Sequence, residues 1–216
     1  MSMNTTRILA IRHGETAWNV DTRIQGHLDI PLNAQGLRQA AHLAQALAEG
    51  DAVDAVYASD LSRAHATASA IAQALHQSVT AHPGLRERHF GEFQGRTFAE
   101  IEVELPEHAW HWRKRTPEWV PPGGGESLEM LRERILKTVD ELAARHTGQQ
   151  IVLVAHGGVL DILYRAATRL ELQAPRTWQL TNTAVNRLLW SPQGLSMVGW
   201  GDTSHLDLLG KDETTA

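Results

Sequence analysis

The chain has no cysteine. That excludes disulfides, zinc–thiolate sites and a thiol nucleophile, while a reducing compartment is allowed but not required. No apolar run approaches the eighteen or so residues that a membrane-crossing helix needs. The N-terminus lacks a basic-then-apolar leader pattern, so the cytoplasm is the expected location. There is no excess of positive charge either. The net charge of −5 argues against nucleic acid as a bulk partner. Repeats, low-complexity tracts and linkers are also missing.

What remains is an ordinary globular composition, 42% apolar and 21% charged over 216 residues. That length suits one domain, residues 1–216, with a sizeable core. Twelve histidines are many, but most are scattered. His108 and His111 have a helical i,i+3 spacing without an evident third ligand, so no metal site follows from them.

Short apolar runs alternate with helical patterns. Strands are expected at 7–12, 52–59, 78–85 and 149–156, and helices at 34–49, from Leu61 to about His76, 128–146 and 158–171. In the first helix Asn33 is the expected cap and Gly50 the stop. Leu37, Ala40, Ala41, Ala44, Leu47 and Ala48 form its expected apolar face. Ser59 or Asp60 can cap the second. Residues 186–191 and 195–200 read as a closing hairpin around Pro192, Gln193 and Gly194. Between about 93 and 125 the pattern breaks into aromatics, charges and prolines, with short helices expected at 97–104 and 107–114. The expected fold is α/β: a three-layer sandwich with a mostly parallel central sheet, helices on both faces and a small inserted lid.

Two apolar strands end alike. "ILAIRHG" delivers Arg12, His13 and Gly14, and "IVLVAHGG" delivers His156 and Gly157. Ligands of parallel sheets gather at strand carboxyl ends. The same rim receives Arg63, from the first turn of the helix after the second strand, and Glu87, from beyond the third. Two guanidiniums and two imidazoles around one point repel each other unless an anion joins them. Phosphate fits, because its oxygens accept forked arginine bonds and its phosphorus is open to in-line attack by an imidazole nitrogen.

"RHGET", "SDLSRAHATA", "LRERHFGEFQG", "GGGES" and "VAHGG", in this order, resemble the histidine phosphatase superfamily, the phosphoglycerate-mutase-like fold, over nearly the whole chain. The resemblance implies His13 as a nucleophile that forms a phosphohistidine, its other nitrogen held by a backbone carbonyl. It implies Arg12, Arg63 and His156 as the clamp on the phosphoryl oxygens, with backbone N–H near Gly157. It implies Glu87 as the proton donor and acceptor, and Asn19 and Gln25 as pocket-lining supports. No metal or cofactor is implied. The partner is a small phosphate ester rather than nucleic acid or membrane, and a homodimer is compatible with the reading.

Within that superfamily the cofactor-dependent mutases carry a tyrosine and a lysine where this chain has Phe90 and Phe98. The compact insertion and the tail "GDTSHLD" look more like the phosphatase branch. The expected function is therefore a metal-independent phosphomonoester hydrolase, with a phosphoglycerate mutase as the alternative and a non-catalytic scaffold less favoured. In the insertion, Arg113 and Arg115 of "WRKR", between Trp110, Trp112 and Trp119, are expected to bind the leaving group. A solvated basic turn is the competing reading. "GGGES" reads as a loop-to-helix joint with Ser127 or Glu126 as cap. It lacks the lysine of a P-loop.

Overall fold

A computed structural model describes residues 4–207. In chain order the elements are β1 (Thr6–Arg12), α1 (Ala17–Val20), α2 (Ala34–Ala48), β2 (Ala55–Ala58), α3 (Ser62–Ala74), β3 (Val79–Ala81), α4 (Phe98–Glu104), α5 (Pro106–Lys114), α6 (Leu128–Ala144), β4 (Gln150–Ala155), α7 (Gly157–Thr168), β5 (Val185–Ser191) and β6 (Gly194–Asp202). They build one six-stranded sheet in the order β3-β2-β4-β1-β5-β6. β3, β2, β4 and β1 run parallel, and the β5–β6 hairpin joins antiparallel at the edge beside β1.

Alternation along the central strands makes the layers. Ile8 and Ala10 of β1 face a core built with Leu131, Ile135 and Val139 of α6 and Leu160 and Leu163 of α7. Leu9 and Ile11 face the other side, where Leu43 and Ala44 of α2 and Ala68 and Ile71 of α3 cover the sheet. β4 is buried along its whole length, as a strand covered on both faces must be. A third, smaller cluster, Phe93, Ile101 and Ala109, holds α4 and α5 together away from the sheet.

Helix ends follow local chemistry. Asn33 caps α2 by accepting from Gly36 N, and Ser127 caps α6 by accepting from Met130 N. Two expectations are corrected. The buried stripe of α2 is Gly36, Gln39, Ala40, Leu43 and Ala44, while Leu37 is 58% exposed. The helix is turned so that Gly36 lies against the backbone of Glu15, and Gln39 Oε1 accepts from Glu15 N at 2.9 Å. At α3 neither Ser59 nor Asp60 supplies the cap. Leu61 holds that position with no side-chain bond. Instead Asp29, from a distant loop, accepts from Ser62 N at 2.7 Å, and Asp60 pairs with Arg86 at 2.6 Å.

Candidate active site

β1 and β4 run in register, with Arg12 opposite Ala155. His13 and His156 therefore leave the sheet side by side, and His13 N continues the ladder to Ala155 O at 3.0 Å. The two imidazole rings lie 5.2 Å apart, centroid to centroid. Both are buried.

The ring of His13 is oriented from one side. Its Nδ1 lies 2.7 Å from the carbonyl oxygen of Gly14. A carbonyl only accepts, so Nδ1 carries the proton and Nε2 keeps a lone pair. Burial lowers the pKa of His13 well below the ordinary imidazole range, and Arg12 and Arg63 lower it further. His156 is lowered likewise, by burial first and then by Arg63, His13 and Arg12. Neither of its ring nitrogens has a protein partner among the described residues.

Arg63 is fully buried. The carbonyls of Leu28 and Gly26 accept from its guanidinium at 2.9 and 2.7 Å. Thr67 ties the helix to the loop after β1: its hydroxyl donates to Arg63 O and accepts from Gly14 N at 3.0 Å. Arg12 donates to Leu180 O. Burial lowers the pKa of both arginines, and the nearby Glu87 opposes that shift. Four basic groups converge here without an equal number of carboxylates, which makes the point an anion site.

Glu87 comes from the loop after β3. Its carboxylate accepts from Gly158 N, at 3.0 and 3.1 Å, and from its neighbour Arg88 N at 2.8 Å. A Cβ on residue 158 would lie 2.2 Å from Glu87 Oε1, so any larger residue there would displace that carboxylate. His27 Nε2 lies 2.8 Å from Glu87 O, and Arg134 donates to Gly84 O, Arg86 O and Glu87 O. Arg134 is itself held by both oxygens of Glu126. The loop is thus stapled to α6.

A cavity of about 180 Å³ opens among Arg12, His13, Asn19, Gln25, Arg63 and Glu87. Asn19 also closes a capping box with Thr16 at α1 and accepts from Asn182. Gln25 is buried, and its Oε1 has no donor among the described residues. A wider cavity of about 510 Å³ continues outward past Arg12, Phe90 and Trp112, which line both, to Gly157, Gly158 and Leu180.

The basic turn splits in two. Arg115 adopts a left-handed backbone, with φ 50°, and reaches the outer cavity, donating to Asp161 at 2.6 Å and to Leu172 O. Arg113 does not reach it. It pairs with Glu102 and lies 5.5 Å over the Phe98 ring, 56% exposed, which corrects its expected place at the pocket. Trp110 is exposed as well, whereas Trp112 lines both cavities.

Sequence reasoning missed Arg88, Asp161 and Arg176, all of which line the outer cavity. Arg88 stands in the sequence among the charges Arg86, Glu87 and Glu92. It is instead buried, 5.5–5.9 Å from the Phe90, Trp112 and Trp119 rings, with its pKa lowered to about 10 by burial. The available signal was the aromatic density that follows Glu87, which could house a guanidinium. Among the described residues no group of three or more His, Cys, Asp or Glu is arranged to hold a metal ion. No described helix is long and apolar enough to cross a membrane.

Comparison with known proteins agrees with this geometry. Residues 8–203 match the family model of the histidine phosphatase superfamily, branch 1. Among curated proteins, the chain is 38% identical to phosphoglycerate mutase-like protein 4 of Arabidopsis thaliana, covering 94% of this chain and 88% of that one. It is 37% identical to the metal-independent phosphoserine phosphatase of the same plant, covering 95% and 85%. Among solved structures, a mycobacterial glucosyl-3-phosphoglycerate phosphatase superposes with a TM-score of 0.82 at 31% identity, covering 92% of this chain and all of that one.

Proposed function

From the membership of this chain in branch 1 of the histidine phosphatase superfamily, we propose how its own residues carry out the hydrolysis of a phosphomonoester and what kind of ester it takes. The chain is a histidine-phosphatase-type enzyme, and its relatives include phosphatases named for phosphoserine and glucosyl-3-phosphoglycerate. One observation carries the assignment of roles. His13 is pinned through Nδ1 to Gly14 O, so that the lone pair on Nε2 faces the cavity shared with Arg12, Arg63 and Glu87.

Nε2 of His13 attacks phosphorus. The P–N bond forms as the bond to the leaving oxygen breaks, and protonated Glu87 gives its proton to that oxygen. Arg12, Arg63 and His156 hold the equatorial oxygens, where charge is greatest in the transition state. Water then attacks the phosphohistidine, Glu87 takes the water's proton, and phosphate leaves with His13 restored. Asn19 and Gln25 line the phosphoryl cavity, and the N-terminus of α7 at Gly157 lines the outer cavity that continues from it. Arg88, Arg115 and Arg176 in the outer cavity favour a leaving group with an anion of its own.

The test is rapid-quench mass spectrometry during turnover of p-nitrophenyl phosphate. An acid-labile phosphate is expected on the peptide containing His13, and His13→Ala is expected to abolish it together with activity. A label on His156 instead would reverse the two histidines. Exhaustive chelation is expected to leave the rate within about twofold, since the loss of a catalytic metal costs several kcal/mol. A collapse restored by one divalent ion would refute the mechanism.

A further inference from the structure

The loop that leads into β5 supplies no group to the phosphoryl chemistry, yet it grips the end of β1. Thr183 N donates to Arg12 O at 2.9 Å, and Leu180 O accepts from the Arg12 guanidinium. Between them, Asn182 Nδ2 donates to His13 O at 2.8 Å and lies 3.4 Å from Asn19 Oδ1. Both of those oxygens are acceptors, since Asn19 Oδ1 already takes the N–H of Thr16 at 3.0 Å. Only the nitrogen of the Asn182 amide can face them. The next residue shows that this loop conformation is imposed. Thr183 is β-branched and fully buried, yet its φ is 58°, in the left-handed region that such residues avoid. Its hydroxyl donates to Asn182 O at 2.8 Å.

The bond to His13 O completes a clamp on two consecutive peptide planes. The plane between His13 and Gly14 is held at its oxygen by Asn182 and at its N–H by Thr67 Oγ1. The plane between Gly14 and Glu15 is held at its N–H by Gln39 Oε1, and its oxygen receives Nδ1 of His13. A peptide plane held at both ends does not turn. Glycine at position 14 would otherwise leave the joint between the two planes free. The carbonyl that pins the imidazole is therefore only as steady as the plane before it, and Asn182 is the side chain that holds that plane by its oxygen.

We propose that Asn182 is a positioning residue for His13: it fixes the 13–14 peptide, and through Gly14 O it keeps the proton on Nδ1 and the lone pair on Nε2. This rests on the reading of His13 as the nucleophile.

Two variants and one spectrum test it. Asn182→Ala removes the donor. Asn182→Asp keeps the size and shape but turns an acceptor toward His13 O and Asn19 Oδ1. In rapid-quench single turnovers with p-nitrophenyl phosphate, Asn182→Ala is expected to slow labelling of His13 by about 10- to 100-fold, the scale of a misplacement of about 1 Å. KM is expected to stay within about threefold. Asn182→Asp is expected to be slower still, whereas a side chain that only fills space would tolerate Asp better than Ala. If the alanine variant does not fold, the aspartate variant carries the test. Nitrogen-15 NMR of the imidazoles, with the His13 signals assigned by their loss in His13→Gln, is expected to show Nδ1 protonated in the wild type and a mixture of tautomers in the variants. Labelling within about threefold of wild type in either variant would overturn the proposal. So would an Nε2-protonated His13 in the wild type, or slow labelling with the tautomer unchanged. The reading of the site fails separately, if wild-type His13 takes no label.

Discussion

At the scale of single residues, the two active-site imidazoles link catalysis to stability. His13 and His156 are both held well below the ordinary imidazole range, first by burial and then by neighbouring cations. In the unfolded chain each titrates near its free value of about 6.5. Above that pH both states leave the ring neutral, and neither histidine costs stability. As the pH falls below about 6.5 the unfolded chain takes up protons that the folded protein refuses, so stability is lost on acidification. The melting temperature of the ligand-free protein is expected to drop between pH 7.5 and 5. His27 and His205 are also lowered by burial, so the bare slope is shared. The difference between wild type and His156→Gln isolates one ring, and the variant is expected to lose less stability over that interval. Equal slopes would mean that His156 is not held neutral. Residues of this kind were legible in the sequence because a strand end fixes where its last side chain goes. Arg88 and Asp161 were not, because their significance comes from the fold bringing the loop after β3, α5 and α7 around one cavity.

At the scale of elements, the contact between the β1–α1 loop and α2 sets how closely His13 is held. A side chain on residue 36 would lie 2.1 Å from Glu15 O, and one on residue 14 would lie 2.6 Å from Gly36 O. Two backbones meet here, and backbone cannot rotate out of the way as a long side chain can. Gly36→Ala is therefore expected to push the loop that begins at Gly14, whose carbonyl fixes the His13 ring. The cost is expected to be about 1–3 kcal/mol, the range for overpacking, with kcat falling as well. Gly50→Ala meets nothing closer than 3.5 Å and serves as the control. Urea denaturation of both variants checks the pair, and an unshifted midpoint for Gly36→Ala would show that the loop yields freely. The same contact explains a misreading. Leu37 has the hydrophobicity of a core residue, yet the helix is rolled to seat Gly36 and Gln39 against Glu15. Periodicity finds a helix, but it does not know which neighbour the helix must approach most closely.

At the scale of the whole molecule, the question is what the phosphohistidine meets next, water or a second acceptor. A mutase must retain a phosphorylated acid at the site and keep water out. The segment between β3 and α6 bears on this; the apolar pattern breaks within it from about residue 93, but its packing was not legible. Phe90 does line the cavity, but its ring packs on Trp112 at 5.1 Å and offers no hydroxyl. Phe98 packs into the cluster of α4 and α5 beneath Arg113, so residue 98 itself offers no cation for a second phosphate. Arg113 is paired with Glu102, which leaves Arg115 as the member of "WRKR" that reaches the cavity. A bisphosphorylated acid is then expected to bind poorly. Incubation with 3-phosphoglycerate, with or without 2,3-bisphosphoglycerate, is expected to release inorganic phosphate and to form little or no 2-phosphoglycerate. Glu87→Gln cannot deliver a proton, so it is expected to slow esters of poor leaving groups by about 10²–10⁴-fold. In the phosphorylation step, esters of good leaving groups are expected to suffer less, because their oxygen departs without a proton. Isomerisation stimulated by bisphosphoglycerate, faster than phosphate release, would show that Arg115 and its neighbours hold a second phosphate after all and that the lid excludes water from the phosphohistidine.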